Sequence, residues 1–360
     1  KSNKLNFHSI FLFLTLIYIA YKMNRYGEYG NDAPTHFLFY FLISEILENF
    51  ENKKDNFKDN LILSFFILMN KLTMAFAIFL PFIREKNISK KLLREPKIYF
   101  SLFFLSLWLG KNILISGCLV YPEPKLCIKN LSWTDMNMVR LVKNENQAWT
   151  RGWPNFKGKI SYSEYNKDFI LWFKTWYNGH FKNKILVIIS PYLILLLMFI
   201  SYFYFRYGFK KQTFINEIKK YYKLILILLF FIIIWFFTVP VYRYGYSYLI
   251  SFFVSVFSLI LISFDINKIK FFRFIKQILF FCLIIFFLKN SIKVFDKDKE
   301  IWPKIYFVNN DHIKKVETAN KAYFISTRMC GYGFSPCTHI SNINLKSSKF
   351  MNYLIFSKIP

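Results

Sequence analysis

Several motifs that would identify a soluble enzyme are missing from this sequence. It has no Gly-rich phosphate-binding loop, no Gly-x-Ser-x-Gly nucleophile motif and no His-Glu-x-x-His zinc motif. Acidic residues are scarce, because 21 Asp and Glu stand against 49 Lys and Arg, and there are only 11 glycines. The missing motifs leave nucleotide-driven, serine-hydrolase and zinc-protease chemistry without support.

Apolar and aromatic residues dominate what is present. Hydrophobic residues make up 54% of the 360 positions, 46 of them are Phe, and the formal net charge is nevertheless +28. The basic residues concentrate in short segments between long apolar runs, as in the cytoplasmic loops of membrane proteins. A nucleic-acid-binding protein would carry its charge on a folded polar face with far less aliphatic sequence. The composition therefore predicts association with membrane lipid and no nucleic-acid partner.

We predict an all-α polytopic membrane protein with about seven transmembrane helices. The apolar runs are residues 7–21, 61–82, 98–116, 185–205, 224–239, 248–264 and 278–288. Residues 37–50 are interrupted by Glu45 and Glu48, so we expect an amphipathic helix on the membrane surface there. Because the chain begins with Lys1 rather than Met, we expect a fragment or a processed form.

The basic segments assign the sides of the membrane. Residues 84–97, 206–223 and 268–276 are rich in Lys and Arg, which places them in the cytoplasm. The prediction is a multi-pass inner membrane protein with a cytoplasmic N-terminus and a periplasmic C-terminus. Its parts are membrane helices in 1–116 with an acidic outer loop at 23–59, an outer Trp- and Cys-containing loop at 117–182, membrane helices in 183–289, and a small Cys-containing outer segment at 290–360.

Ionisable residues gather near the outer side of this predicted bundle. The twelve residues 25–36 hold two carboxylates and a histidine directly between apolar runs, while three cations come from later segments. One of the cations lies close to the middle of the 61–82 run, where a charge is costly unless it faces a cavity or a partner. The catalytic candidates are Asp32, Glu28 and His36, and the candidates for binding a substrate phosphate are Lys71, Lys111 and Arg243.

These residue types suit transfer from a lipid-linked phosphate. Cations would hold the phosphate of the donor, and a carboxylate would deprotonate an incoming hydroxyl group. The alternatives are a solvated loop at 25–36 and a Lys71 that forms an internal ion pair or extends to the interface. No metal ligands are assigned, although a divalent metal between Glu28, Asp32 and His36 stays open.

The cysteines favour disulfide bonds. Four of the five fall in predicted outer segments, and an oxidising periplasm allows them to pair. The simplest of the three connectivities joins Cys118 to Cys127 and Cys330 to Cys337, with structural zinc or free thiols as the alternatives.

Trp172 and Trp176 are four residues apart, one helical turn. This spacing favours helix packing over a platform that stacks on sugar rings.

The architecture resembles that of the C-type (GT-C) glycosyltransferases, which have many spans and an acidic outer loop after an early span. That resemblance implies a polyprenyl-phosphate-linked sugar as donor, a glycan or lipid as acceptor, and Asp32 as the loop carboxylate with Glu28 second. The motifs of residues 30–36, 117–122, 149–151 and 335–338 also resemble a poorly characterised group of bacterial multi-pass proteins associated with surface-polysaccharide loci.

Three further functions are compatible with the sequence. A transporter or flippase of lipid-linked saccharides would use the intramembrane cations as a substrate path, but no pair of broken spans and no internal repeat is evident. A polymerase of lipid-linked saccharides and a non-catalytic membrane scaffold are the others.

Overall fold

The computed structural model describes most of the chain. The described residues are 5–23, 32–52, 56–83, 96–264, 268–295, 313–317, 322–326, 337–338, 345–350 and 353–358. They divide into two compact units. The first comprises Lys1–Cys127 and Met136–Leu288, and the second comprises Ile128–Asp135 and Lys289–Pro360.

Helices form almost all of the first unit. They are α1 (Phe7–Met23), α2 (Asp32–Asn52), α3 (Phe57–Asn70), a 3-10 helix named η1 (Leu72–Ile83), α4 (Pro96–Ser116), α5 (Met136–Thr150), α6 (Tyr162–Lys167), α7 (Phe169–Trp176), α8 (Val187–Arg206), α9 (Lys211–Thr238), α10 (Tyr242–Ile262) and α11 (Lys268–Phe295). A π-helical stretch, Tyr177–Leu186, joins α7 to α8.

Five of the described helices are long and apolar enough to cross a membrane. They are Pro96–Ser116, Phe169–Arg206, Lys211–Thr238, Tyr242–Ile262 and Phe271–Leu288. Shorter apolar helices cover Phe7–Tyr21 and Leu72–Ile83. The prediction of a helical, multi-pass membrane protein is therefore confirmed in its coarse form.

The bundle has two ends, which we name after the acidic residue found at each. At the Glu51 end, the backbone N–H of His8 donates to Glu51 across 3.0 Å, and Tyr221 of α9 donates to the same carboxylate across 3.5 Å. At the Asp32 end lie the first residues of α2 and α10. Because Asp32 and Glu51 are near opposite ends of α2, helices α1 and α2 run antiparallel.

Helix α2 lies inside the bundle, which corrects the expectation of a surface helix at 37–50. Phe39, Leu42, Ile43 and Leu47 have no exposed surface or almost none, and α2 packs against α1, α3 and α10. Its acidic residues do not prevent this packing because they find polar partners. Glu45, for example, accepts a hydrogen bond of 3.2 Å from Asn56.

The predicted span at 61–82 is a helical hairpin rather than a single crossing. Helix α3 ends at Asn70, Lys71 has extended backbone angles (φ −151°, ψ 110°), and η1 then runs back along α3. The rings of Phe57 and Phe82, at the two far ends, are 5.2 Å apart between centroids. Lys71 therefore occupies the tip of this hairpin.

Helix α10 is the most deeply buried of the long helices. Its four buried serines recur on one face and allow neighbouring helices to approach closely. They are Ser247, Ser251, Ser255 and Ser258. Close approach also requires Gly245, because a Cβ atom there would lie 2.4 Å from Nε1 of Trp235.

Within the first unit, part of the chain between α5 and α8 lies near the Asp32 end, because Arg151 and Trp176 donate to the carbonyls of Phe237 and Pro240. The predicted disulfide between Cys118 and Cys127, which follows α4, is present. Cys330 lies outside the described residues, so the second pair stays a prediction. Trp172 and Trp176 are buried and pack on Phe236 at centroid distances of 5.6 and 5.0 Å, which confirms the packing interpretation.

The second unit contains short β-strands, which the prediction of an all-α chain did not include. The strands are β1 (Ile313–Val316), β2 (Tyr323–Ser326), β3 (Cys337–Thr338), β4 (Leu345–Phe350) and β5 (Tyr353–Lys358). β2 pairs antiparallel with β1 and parallel with β3, while β4 and β5 form an antiparallel pair. These segments are two to six residues long, which suits strands and is too short for stable helices.

The hairpin predicts that Asp59 and Lys97 face the same side of the membrane, because their side chains approach to 3.4 Å. We expect Asp59→Cys and Lys97→Cys to react with a membrane-impermeant maleimide in the same preparation, either intact cells or inverted vesicles. Trp149→Cys, near the Asp32 end, should react in the other one. Labelling of Asp59→Cys and Lys97→Cys from opposite sides would mean that residues 61–82 cross the membrane once. Each variant is made in a protein in which Cys282, Cys330 and Cys337 are replaced with serine.

Candidate functional site

Three separate elements bring charged residues together at the Asp32 end. Asp32 is the first residue of α2, where a carboxylate interacts favourably with the positive end of the helix dipole. Lys71 comes from the tip of the hairpin, and Arg243 lies in the first turn of α10. Each of the three residues is therefore held in place at the end of a helix.

The shortest contact in this cluster joins Lys71 to Asp32. The Lys71 Nζ atom lies 2.6 Å from Asp32 Oδ1, and the side chains are only 7% and 19% exposed. The same ammonium donates to the backbone carbonyl of Arg243 across 3.1 Å and lies 4.8 Å from the ring centre of Tyr244. Lys71 therefore ties the hairpin tip to both α2 and α10.

His36 is fully buried beside this pair. Its Nε2 atom is 2.8 Å from the carbonyl oxygen of Arg243, and its Nδ1 atom is 2.7 Å from Oγ of Ser247. A carbonyl only accepts, so we assign the proton to Nε2, and Nδ1 then accepts from the serine hydroxyl. In this arrangement His36 orients α10 and leaves no ring nitrogen for a substrate.

Arg243 is the most exposed charged residue of the cluster. Its side chain is 52% exposed, and its Nε atom lies 3.9 Å from Asp32 Oδ2. An Nη atom donates to the Tyr244 hydroxyl across 2.6 Å, and the guanidinium stands 4.7 Å from that ring's centre. Among the described residues, the cluster holds one carboxylate and two cations, and the guanidinium of Arg243 is the more exposed of the two cations.

Two predicted residues do not join this cluster in the described structure. Lys111 is exposed on α4, and none of the contacts between Asp32, Lys71 and Arg243 includes it. Glu28 lies outside the described residues, so its role stays a prediction. Within the described parts of the chain, no group of three or more His, Cys, Asp or Glu could hold a metal ion.

Three contributors to the cluster are not among the site residues predicted from the sequence. These are the Tyr244 ring, which lies near both cations, the Ser247 hydroxyl, and the Tyr246 ring, whose centre is 3.8 Å from that of His36. The tyrosine-rich sequence around Arg243 was a usable signal for the rings. Nothing in the local sequence indicated Ser247, because its partner lies 211 residues away.

The cluster predicts a large difference between two lysine variants. Lys71→Met should lower the free energy of unfolding by about 3 kcal/mol, because it leaves the poorly solvated carboxylate of Asp32 without its closest cation. Lys97→Met removes the cation of an exposed pair with Asp59 and should cost below about 1 kcal/mol. Denaturant titration of the purified protein in detergent micelles measures both. Equal losses would mean that the Asp32–Lys71 pair contributes no more than a surface pair.

Comparison with known proteins gives a family without an assigned activity. The profile of the family described as Domain of unknown function (DUF8201) matches residues 1–250, which include Asp32, His36, Lys71 and Arg243. No curated protein and no solved structure matches the chain. Since the matched region covers more than half of the sequence, the chain belongs to the DUF8201 family.

Proposed function

We propose that this protein is a membrane glycosyltransferase that uses a polyprenyl-phosphate-linked sugar at the outer face of the inner membrane, in the assembly of surface polysaccharide or glycolipid. The observation that carries the proposal is the convergence of Asp32, Lys71 and Arg243 at one end of an apolar helix bundle. A carboxylate beside two cations at the end of an apolar bundle matches a donor whose phosphate lies at the membrane surface and whose tail lies in lipid.

The distribution of basic residues supports an outward-facing Asp32 end. The basic residues around the α8–α9 connection lie at the Glu51 end, because Tyr221 reaches Glu51 and the Lys210 N–H donates to Ser263 at the end of α10. Basic segments face the cytoplasm in most membrane proteins. The Asp32 end would then face the periplasm.

Arg243 is suited to receive the donor phosphate. A guanidinium binds phosphate oxygens through two parallel hydrogen bonds, and half of this side chain is exposed. The Tyr244 ring and hydroxyl hold the guanidinium in place. Lys71 contacts the other carboxylate oxygen of Asp32, Oδ1, and adds positive charge within the same cluster. Both cations would stabilise the phosphate as the bond to the sugar breaks.

Asp32 is the candidate base for the transfer. The acceptor hydroxyl oxygen would bond to the anomeric carbon of the sugar while the bond from that carbon to the phosphate oxygen breaks. The hydroxyl proton passes to the Asp32 carboxylate, and the electron pair of the broken bond stays on the polyprenyl phosphate. Since Asp32 is paired with Lys71 in this structure, the carboxylate must share or lose that ammonium before it accepts the proton.

A second candidate function is transport of a lipid-linked saccharide. It is favoured by the interruption of the helical hairpin at Lys71, because broken helices that enter the membrane are typical of substrate sites in transporters. An assay that follows a fluorescent polyprenyl-phosphate sugar separates the two functions. Transfer releases polyprenyl phosphate, whereas transport moves the intact molecule between leaflets.

The transferase proposal predicts that Asp32→Asn lowers the rate of polyprenyl phosphate release by about 100-fold or more, since an amide cannot accept the hydroxyl proton. Membranes containing the protein would receive a panel of short-chain polyprenyl-phosphate hexoses, with release followed by mass spectrometry. Asp59→Asn makes the same change in an exposed Asp–Lys pair and should keep wild-type activity. Asp32→Glu retains a carboxylate and should recover part of the rate. Full activity of Asp32→Asn would remove Asp32 from the chemistry.

Arg243→Gln should weaken use of the donor through the lost contact to phosphate. We expect kcat/KM for the donor to fall by about 100-fold, because one preorganised cation that stabilises the leaving group is removed. Arg206→Gln changes an exposed arginine at the end of α8 and serves as the matched control. If both variants show the same kinetics, Arg243 does not contact the donor.

A further inference from the structure

The buried side of η1 repeats at intervals of three residues. Lys71 is 8% exposed, and Met74, Ala77 and Leu80 have no exposed surface. A 3-10 helix has three residues per turn, so Met74, Ala77 and Leu80 fall on one straight line along its side. This line faces the bundle, and Lys71 immediately precedes the helix.

An α-helix would not keep that line. With 3.6 residues per turn, each step of three residues falls about 60° short of a full turn, and the two steps from Met74 to Leu80 add up to about 120°. Met74 and Leu80 would then face different sides of the helix. The packing of η1 against the bundle therefore depends on the 3-10 geometry.

The length of η1 makes this geometry unusual. It continues for 12 residues, whereas 3-10 helices rarely exceed three or four. Its polar contacts with the rest of the protein lie at the Lys71 end, while Phe82 at the other end packs on Phe57 with 5.2 Å between ring centroids. Besides the ion pair, the Tyr248 hydroxyl donates to the carbonyl of Thr73 across 2.9 Å, and the Ser247 hydroxyl lies 3.8 Å from the sulfur of Met74. Polar contacts therefore fix the Lys71 end of η1, and apolar packing fixes the Phe82 end.

We propose that η1 is a conformational switch that is held extended by the ion pair between Lys71 and Asp32. When the pair breaks, η1 shortens toward α-helical geometry. At 2.0 and 1.5 Å per residue, 12 residues shorten by about 6 Å, which withdraws Lys71 beyond hydrogen-bonding distance. The extended backbone of Lys71, between α3 and η1, is the joint that absorbs the change.

The switch would uncover the group to which we assign the chemistry. In the extended state, Lys71 occupies Oδ1 of Asp32, and in the shortened state that oxygen is available to an acceptor hydroxyl. This consequence rests on the proposed transferase function. The change in length does not, because it follows from the packing of η1 and its contacts.

A distance measurement along η1 tests the switch. Leu72 and Phe82 are both exposed and ten residues apart. Spin labels on Leu72→Cys and Phe82→Cys should be about 20 Å apart in 3-10 geometry and about 15 Å apart in α-helical geometry. The protein would be in lipid nanodiscs, with Cys282, Cys330 and Cys337 replaced by serine. Electron paramagnetic resonance then gives the distribution of distances without any substrate.

The outcome depends on variants that break the ion pair in different ways. We expect the longer distance in the otherwise unchanged protein and in Asp59→Asn, and a shift of about 5 Å toward the shorter one in both Asp32→Asn and Lys71→Met. Gel filtration identifies which variants are folded, and either folded variant decides the result. A distance that stays near 20 Å overturns the switch. Because no sugar donor is used, this result is independent of whether transfer activity is found.

Discussion

The ion pair between Lys71 and Asp32 determines how the Asp32 end of the bundle is assembled. One ammonium contacts the first residue of α2, the carbonyl of Arg243 in α10 and the ring of Tyr244, so it joins three segments that are distant in sequence. A charged pair at 7% and 19% exposure loses much of its hydration, and only close partners offset that loss. The same contacts fix the positions of His36 and Arg243. His36 donates to the carbonyl that Lys71 contacts, and that carbonyl belongs to Arg243.

The hairpin changes the path of the chain without changing the side on which the later basic segments lie. Helix α2 returns from the Asp32 end to the Glu51 end, and α3 with η1 leaves and regains the Glu51 end. From the sequence, we had assigned the crossing from the Asp32 end back to the Glu51 end to residues 61–82. In the structure α2 makes that crossing, in place of the predicted surface helix, and the α3–η1 hairpin takes the place of the predicted span. Lys97 and the α8–α9 connection consequently remain at the same end of the bundle.

The proposed chemistry depends on two cations that have different roles. Lys71 is buried and has its contacts within the protein, whereas Arg243 is half exposed beside the same carboxylate. A structural ion pair alone does not require a second, accessible cation, but a donor phosphate does. His36, which the sequence suggested as a catalytic residue, has both ring nitrogens engaged internally and positions α10 instead.

The sequence by itself determined that this chain is a helical membrane protein, because partition into lipid depends on the local content of apolar residues. It also indicated a cluster of Asp32, Lys71 and Arg243 together with Glu28, His36 and Lys111, since isolated charges beside apolar runs need partners. Only the tertiary structure decided that residues 57–83 turn back at Lys71, because hydropathy records composition and not the direction of the chain. It alone also joined Lys71 to Asp32 across 39 residues and His36 to Ser247 across 211, contacts that depend on helix packing and leave no local pattern.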